Sequence, residues 1–244
     1  MKNYFIISDI HGQYKAFEQL LTFWDQKDTL VLLGDLIDRG PQSYEVVQKV
    51  MDLKRQYGEQ VVFCKGNHEA MLLDFIENPG QKHAFYYKYG GRETMASFLK
   101  YLPVEVSELD PIDQAQIVKE KFAEELDFLN YGKLYEIAGN LLLTHAGFDS
   151  SCATVDETPE ENFLWIRQHY KNENKTPYIN VFGHTPLQHI HDSNDVWISE
   201  DQKYIGIDGG CYFTGQLNGI VLSEVGQIVR IYAVTSEKAE NYND

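Results

Sequence analysis

Five short segments, spread over most of the chain, carry metal-binding side chains, and each closes an apolar run. They are Ser8-Asp9-Ile10-His11-Gly12, Gly34-Asp35-Leu36-Ile37-Asp38-Arg39-Gly40, Gly66-Asn67-His68-Glu69, Thr144-His145-Ala146-Gly147 and Phe182-Gly183-His184-Thr185-Pro186. Together they offer Asp9, Asp35, Asn67, His11, His145 and His184 as candidate ligands, with His68 and Arg39 beside them. Asp9 and His11 are two residues apart, so an extended segment projects both to one side. The Asp35 carboxylate has two oxygens and can bridge two cations. A mixed nitrogen and oxygen set of this kind suits manganese, iron, zinc or cobalt better than calcium or magnesium. Two such dications sharing a carboxylate are equipped to hydrolyse phosphate esters.

Taken singly, these residues carry little weight. An Asp at a strand end is ordinary turn or helix-cap chemistry, and a lone His is more often a core or surface residue than a ligand. The joint pattern carries the inference. Four of the eight histidines, His11, His68, His145 and His184, fall in such glycine-containing segments. The other four, His83, His169, His189 and His191, lack that context and are expected at the surface. Cys64 is close to Asn67 but lies inside an apolar run, which predicts an inert core thiol.

Elements that could bring the segments together are visible in the apolar periodicity. The first third alternates strand-like runs at 4–8, 29–33 and 61–64 with helical patterns at 13–24, 43–57 and 67–76, the last closed by Asn78-Pro79-Gly80. That order favours right-handed parallel crossovers, with ligands at the carboxyl ends of the strands. From about 80 to 130 the chain is richer in aromatics and acids. This stretch is expected to be a helical insertion, with helices at 93–101 and 113–130, and a possible cap over the site. Strands follow at 134–138 and 141–144 around a Gly139-Asn140 hairpin turn, then at 178–182, 196–199, 204–208, 219–223 and 228–233, with a helix at 160–170. A single domain over 1–235 and a polar tail over 236–244 complete the expected organisation.

Composition bounds the rest. The chain has 244 residues, 43% hydrophobic, with a formal net charge of −16. So acidic a protein is a poor candidate for binding long nucleic acid, which needs clustered Lys and Arg. It can still hold a small phosphorylated substrate where metals and arginines make one cleft locally positive. Three widely spaced cysteines, no secretory leader pattern and no apolar run of membrane-spanning length lead to the expectation of a soluble cytoplasmic protein. No heptad or broad apolar stripe stands out, and a monomer without a membrane partner is expected.

The ordered motifs Asp-x-His-Gly at 9–12, Gly-Asp-x-x-Asp-Arg-Gly at 34–40, Gly-Asn-His-Glu at 66–69, His-Ala-Gly at 145–147 and Gly-His-Thr-Pro at 183–186 resemble the metallophosphoesterase superfamily. More narrowly, they resemble its phosphoprotein-phosphatase and diadenosine-tetraphosphatase-like branch. A weaker match follows at Ile207-Asp208-Gly209-Gly210-Cys211. The resemblance implies a calcineurin-like α/β fold in which two mixed β-sheets are sandwiched between helices. It implies two divalent ions, foremost manganese, with iron, zinc, cobalt or nickel as alternatives. Asp9, His11 and Asp35 would hold the first ion, and Asp35, Asn67, His145 and His184 the second. His68 would be the general acid, oriented by Asp38, with its imidazolium favoured by that carboxylate. Arg39 and Arg167 would bind the phosphate, and hydroxide bridging the metals would attack it.

Two substrates fit these motifs. Asp38 and Glu69 favour phosphoserine or phosphothreonine in proteins and peptides, the preferred reading. The alternative is a dinucleoside polyphosphate such as diadenosine tetraphosphate. The aromatic run Phe85, Tyr86, Tyr87 and Tyr89 could then stack adenine, although such runs are more often core. Gly90-Gly91-Arg92-Glu93-Thr94 resembles a loop in bacterial members. A non-catalytic binding module is disfavoured, because no candidate ligand is missing.

Overall fold

A computed structural model describes residues 2–103 and 109–236. Strand β1 (Asn3–Ile7) leads into helix α1 (Tyr14–Leu21), β2 (Thr29–Leu32), α2 (Ser43–Tyr57), β3 (Val61–Phe63) and α3 (Asn67–Glu77). Helices α4 (Pro79–Lys88), α5 (Gly91–Leu99), α6 (Pro111–Lys121) and α7 (Ala123–Asn130) follow. The second half holds β4 (Tyr135–Ala138), β5 (Leu141–Thr144), α8 (Glu160–Trp165), β6 (Ile179–Phe182), β7 (Trp197–Ile198), β8 (Tyr204–Gly206), β9 (Gln216–Ser223) and β10 (Ile228–Thr235).

The strands form two five-stranded mixed sheets, ordered β10-β9-β1-β2-β3 and β4-β5-β6-β8-β7. In the first, β1, β2 and β3 run parallel while β9 pairs antiparallel with β1 and β10. In the second, β5, β6 and β8 run parallel between antiparallel edges. The two-residue periodicity of the strands builds the layers. Tyr4 and Ile6 of β1 join Val31, Leu143, Val181 and Ile220 in the core between the sheets. Phe5 and Ile7 face the other way, into the core shared with the helices. On the second sheet, Leu142 and Phe182 turn outward onto Phe148 and Phe163. The expected two-sheet α/β architecture is therefore what the chain adopts.

Several local expectations change. Asn78-Pro79-Gly80 closes α3 as expected, but it also opens the next helix: Pro79 is the first residue of α4, where its fixed φ and missing N–H suit a helix start. The helix expected over 113–130 is two helices. It breaks at Phe122 (φ −126°, ψ 36°), whose ring is buried edge-on against Phe98 and Tyr44. The helix expected over 160–170 stops at Trp165, Ile166 is extended, and Gln168 is left-handed. The Gly139-Asn140 turn does join β4 to β5, with Ala138 opposite Leu141. Helices α4 to α7 pack into the first core through Tyr86, Phe98, Val118 and Leu126. Within the described residues no helix is long and apolar enough to cross a membrane. The tail expected at 236–244 lies outside the described residues beyond Ser236. Cys64 is fully buried, and burial pushes its thiol up to about 12.

Candidate dinuclear metal centre

The candidate site lies where the six parallel strands of both sheets end. β1, β2 and β3 lead to Asp9, Asp35 and Asn67, while β5, β6 and β8 lead to His145, His184 and Asp208. Backbone bonds lock the loops together: Asp9 N–H donates to Gly34 O (3.1 Å), His11 N–H to Asp35 O (2.9 Å) and Gly183 N–H to His145 O (2.7 Å). His145 crosses between sheets to donate from Nδ1 to Leu33 O (2.7 Å). Glycine is required where the loops touch. A Cβ on Gly66 would stand 2.2 Å from Asp35 Oδ1, and one on Gly183 would stand 2.2 Å from Asp9 Oδ2.

Backbone strain concentrates here. Among the described residues, the non-glycine positions with left-handed φ are Asp9, His11, Asp35, Asp38, Arg39, Gln168, His184 and Gln202. All but Gln202 are candidate site residues or adjoin one. Such conformations cost on the order of 1–3 kcal/mol each and persist where the surroundings over-determine them. Glu69 is one such restraint. Its buried carboxylate accepts from the backbone N–H of Asp35 (2.9 Å), Leu36 (2.7 Å) and Gly66 (2.7 Å), clamping the β2 loop to the start of α3.

Asp35 sits between two groups of imidazoles. His11, Asp35 and His68 form one cluster and Asp35, His145 and His184 the other, with donor atoms within 4.8 Å of one another in each. Asp35 Oδ2 lies 3.6 Å from His11 Nε2 and 3.9 Å from His68 Nε2, and Oδ1 lies 3.4 Å from His145 Nε2. His68 stands in the first cluster where Asp9 was expected. The Asp9 carboxylate instead accepts from the Ser8 hydroxyl and the His184 N–H (3.0 Å). Burial raises both Asp9 and Asp35, and Asp9 is raised further by Asp208.

The donor set fits cations. Burial holds His11, His145 and His184 neutral, His145 down to about 3. His11 and His145 give their Nδ1 protons to the carbonyls of Ile37 and Leu33, leaving each Nε2 lone pair directed into the site. His145 Nε2 and Asn67 Oδ1 are then two acceptors 2.9 Å apart, an arrangement a cation relieves. His184 Nε2 is buried with no hydrogen-bond partner. An orphaned buried nitrogen clustered with the Asp35 carboxylate fits a metal position.

His68 and Asp38 form a buried dyad. His68 Nδ1 donates to Asp38 Oδ2 (2.7 Å), and Asp38 Oδ1 accepts from the Tyr86 and Thr94 hydroxyls, each at 2.7 Å. Burial raises the Asp38 carboxyl to about 7, against the lowering pull of those hydroxyls. The imidazolium expected at His68 is not favoured: burial first, then the Arg39 guanidinium, lowers its pKa. Arg39 donates to His11 Nε2 (2.7 Å) and His68 Nε2 (3.0 Å), with Phe213 against its guanidinium at 4.7 Å. Arg167, in the extended segment after α8, donates to His184 O (3.2 Å). Arg39 and Arg167 thus line one open cleft of about 530 Å³, together with Lys171, His189 and Phe213. Among the described residues, no acidic side chain lines it.

Two parts of this picture escaped the sequence. Tyr86, Thr94 and Phe213 had no signal as partners of Asp38 and Arg39. His169 was expected at the surface but is buried, with Nε2 on Asn180 Oδ1 (3.0 Å) and burial lowering it to about 4. Its ring faces Phe182, and it anchors the segment that carries Arg167.

A bis(5'-nucleosyl)-tetraphosphatase PrpE [asymmetrical] from Bacillus mycoides is 27% identical over 249 residues, covering 91% of each chain. A symmetrical bis(5'-nucleosyl)-tetraphosphatase from Chromobacterium violaceum is 44% identical over 82 residues, but this covers only 32% of the present chain and 28% of that one. Among solved structures, a protein serine/threonine phosphatase from Saccharomyces cerevisiae superposes with a TM-score of 0.60 at 16% identity, over 99% of this chain and 82% of its own. That likeness concerns the fold. The profile of the calcineurin-like phosphoesterases matches residues 3–215. The chain belongs to the calcineurin-like phosphoesterase family.

Proposed function

We propose that the protein hydrolyses dinucleoside polyphosphates such as diadenosine tetraphosphate, reversing the preference that the motifs alone suggested. The observation carrying this reading is the cleft: Arg39, Arg167 and Lys171 line it with no acid among the described residues, on a chain of net charge −16. One phosphoryl group engages the two arginines, and the cationic lining beyond them suits the further phosphates of a longer chain. The names of relatives matching 91% of the chain support the same reading.

In this proposal Asp9, His11, Asp35, Asn67, His145 and His184 hold two divalent ions, foremost manganese. Bound there, the ions would supply Lewis-acid polarisation of the phosphoryl group and acidified solvent. Arg39 and Arg167 hold phosphoryl oxygens as charge shifts towards the leaving group. A phosphate drawn to Arg39 takes its guanidinium from His68 Nε2, removing the nearest charge that opposes protonation there. His68 takes up a proton from solvent at the freed Nε2 and gives it to the departing oxygen, while Asp38 holds its Nδ1 proton. A cytoplasmic, monomeric protein with three free thiols completes the reading.

Phosphoserine and phosphothreonine in proteins form a second reading, favoured by the Asp38–His68 dyad and by Glu69. Parallel initial rates with manganese on diadenosine tetraphosphate and a phosphothreonine peptide separate the two. At least about a hundredfold preference for the dinucleotide, or 2.7 kcal/mol in the transition state, is expected. The products, two ADP or ATP with AMP, identify the bond cleaved. An equal preference for the peptide overturns the proposal.

A further inference from the structure

We infer that a second depression, beside Arg39, is a nucleobase subsite in which Tyr89 and Tyr212 provide the stacking surfaces. The inference rests on the dinucleoside polyphosphate reading. The depression holds about 190 Å³ and shares Arg39 with the cationic cleft. Tyr212 and Phe213 straddle the boundary: Phe213 lines the cleft and Tyr212 the depression, with their rings at 78° and 5.4 Å.

The two compartments differ in chemistry. Among the described residues the cleft is lined by basic side chains without an acid, whereas the depression sets Tyr87, Tyr89, Tyr212 and the Glu93 carboxylate beside Arg39 and Lys88. A carboxylate repels phosphate but accepts hydrogen bonds from the amino edge of a base. Tyr87 has Arg92 over its ring at 4.8 Å and its hydroxyl on Gln114 Oε1 (2.7 Å), and Tyr89 has the Lys88 ammonium 5.6 Å from its ring and the Phe85 ring at 4.8 Å. Tyr89 has 37% of its surface exposed and Tyr212 is partly exposed. The depression is also held in register with the phosphate site. Arg39 N–H donates to Gly90 O (3.0 Å), and a Cβ on Gly90 would meet Arg39 Cγ at 2.7 Å. A phosphoryl group at Arg39 therefore has a polyanion path on one side and an aromatic-walled recess next to it. Aromatic stacking is sequence-tolerant and contributes about tenfold or more per base.

Calorimetric binding of ADP and of pyrophosphate to the manganese-loaded protein tests this. ADP carries the same diphosphate with a nucleoside attached. Wild type is expected to bind ADP about tenfold more tightly than pyrophosphate. Tyr89→Ala and Tyr212→Ala should each lose most of that excess, and Tyr89→Phe and Tyr212→Phe should keep it. Equal affinity for the two ligands in wild type, or an excess that survives both alanine variants, overturns the subsite. A tyrosine-dependent ADP excess without cleavage of diadenosine tetraphosphate keeps the subsite and overturns the substrate reading. Cleavage without the excess does the reverse.

Discussion

Tyr86→Phe isolates one hydrogen bond on which the His68–Asp38 dyad depends. The ring is fully buried and stacks on Phe75 at 5.0 Å, so phenylalanine keeps the packing and removes only the hydroxyl on Asp38 Oδ1. The loss depends on the charge of Asp38. A hydrogen bond to an ionised group contributes about 1.5–3 kcal/mol, a neutral one about 0.5–1.5 kcal/mol. Asp38 is raised to about 7, above its ordinary 3.8, so its neutral form is the one the fold prefers. That preference stabilises fully at low pH and is lost as pH rises through about 7. Removing a donor to the charged form moves the folded pKa higher still. The variant should therefore lose about 2 kcal/mol at pH 8.5 and about 1 kcal/mol at pH 5.5, or roughly 4–8 °C and 2–4 °C in Tm. Thermal unfolding of chelated wild type and variant at both pH values reads this directly, since other titrations cancel in the difference. An equal loss at the two values, or none at pH 8.5, would refute the assignment of Tyr86 as a donor to an ionising Asp38.

Other substitutions probe the remaining parts. His68→Ala should lower kcat by about 10²–10⁴ and retain its metal, whereas Asp35→Asn should also lose metal by elemental analysis. Equal metal loss in both would merge the two roles. Arg167→Ala removes one phosphate-binding group and should cost about 10²–10³ in kcat/KM; a change below threefold would leave it a surface residue. Gly66→Ala places a methyl 2.6 Å from Asp35 N and should destabilise by about 1–3 kcal/mol, and wild-type urea unfolding would show that the β2 loop can yield.

The candidate ligands were legible because each is written into a short local pattern, whereas Arg167 was named only through the family resemblance. A parallel strand delivers its carboxyl end to the site, so an apolar run followed within a few residues by Asp, Asn or His places a ligand candidate without knowledge of the rest. Asp35, His145 and His184 were readable in this way. Asp208 was only a weak match, because a single Asp before two glycines resembles an ordinary turn. It too stands at the end of a parallel strand, and burial raises its carboxyl to about 6.

Long-range partners left no local trace. Glu69 reaches backbone groups 33 and 34 residues away, and Asp38 takes hydroxyls from positions 48 and 56 residues on. Burial is also a property of the assembled layers. Periodicity could not separate an exposed His169 from one packed beneath Phe182, nor show that Phe122 would be drawn between Tyr44 and Phe98 and split a helix. The charge state of His68 was misjudged for the same reason. Asp38 beside it argues for imidazolium, but desolvation and Arg39 act only once the chain has closed around the pair. By itself, then, the sequence determined the strand–helix alternation and which residue types meet at the strand ends, because strand periodicity and loop composition are local, while the two-sheet arrangement was legible only through the resemblance of the motifs to a known family. Tertiary structure alone decided which donors face which, how buried each is, and that Tyr212 and Phe213 divide the surface on either side of Arg39.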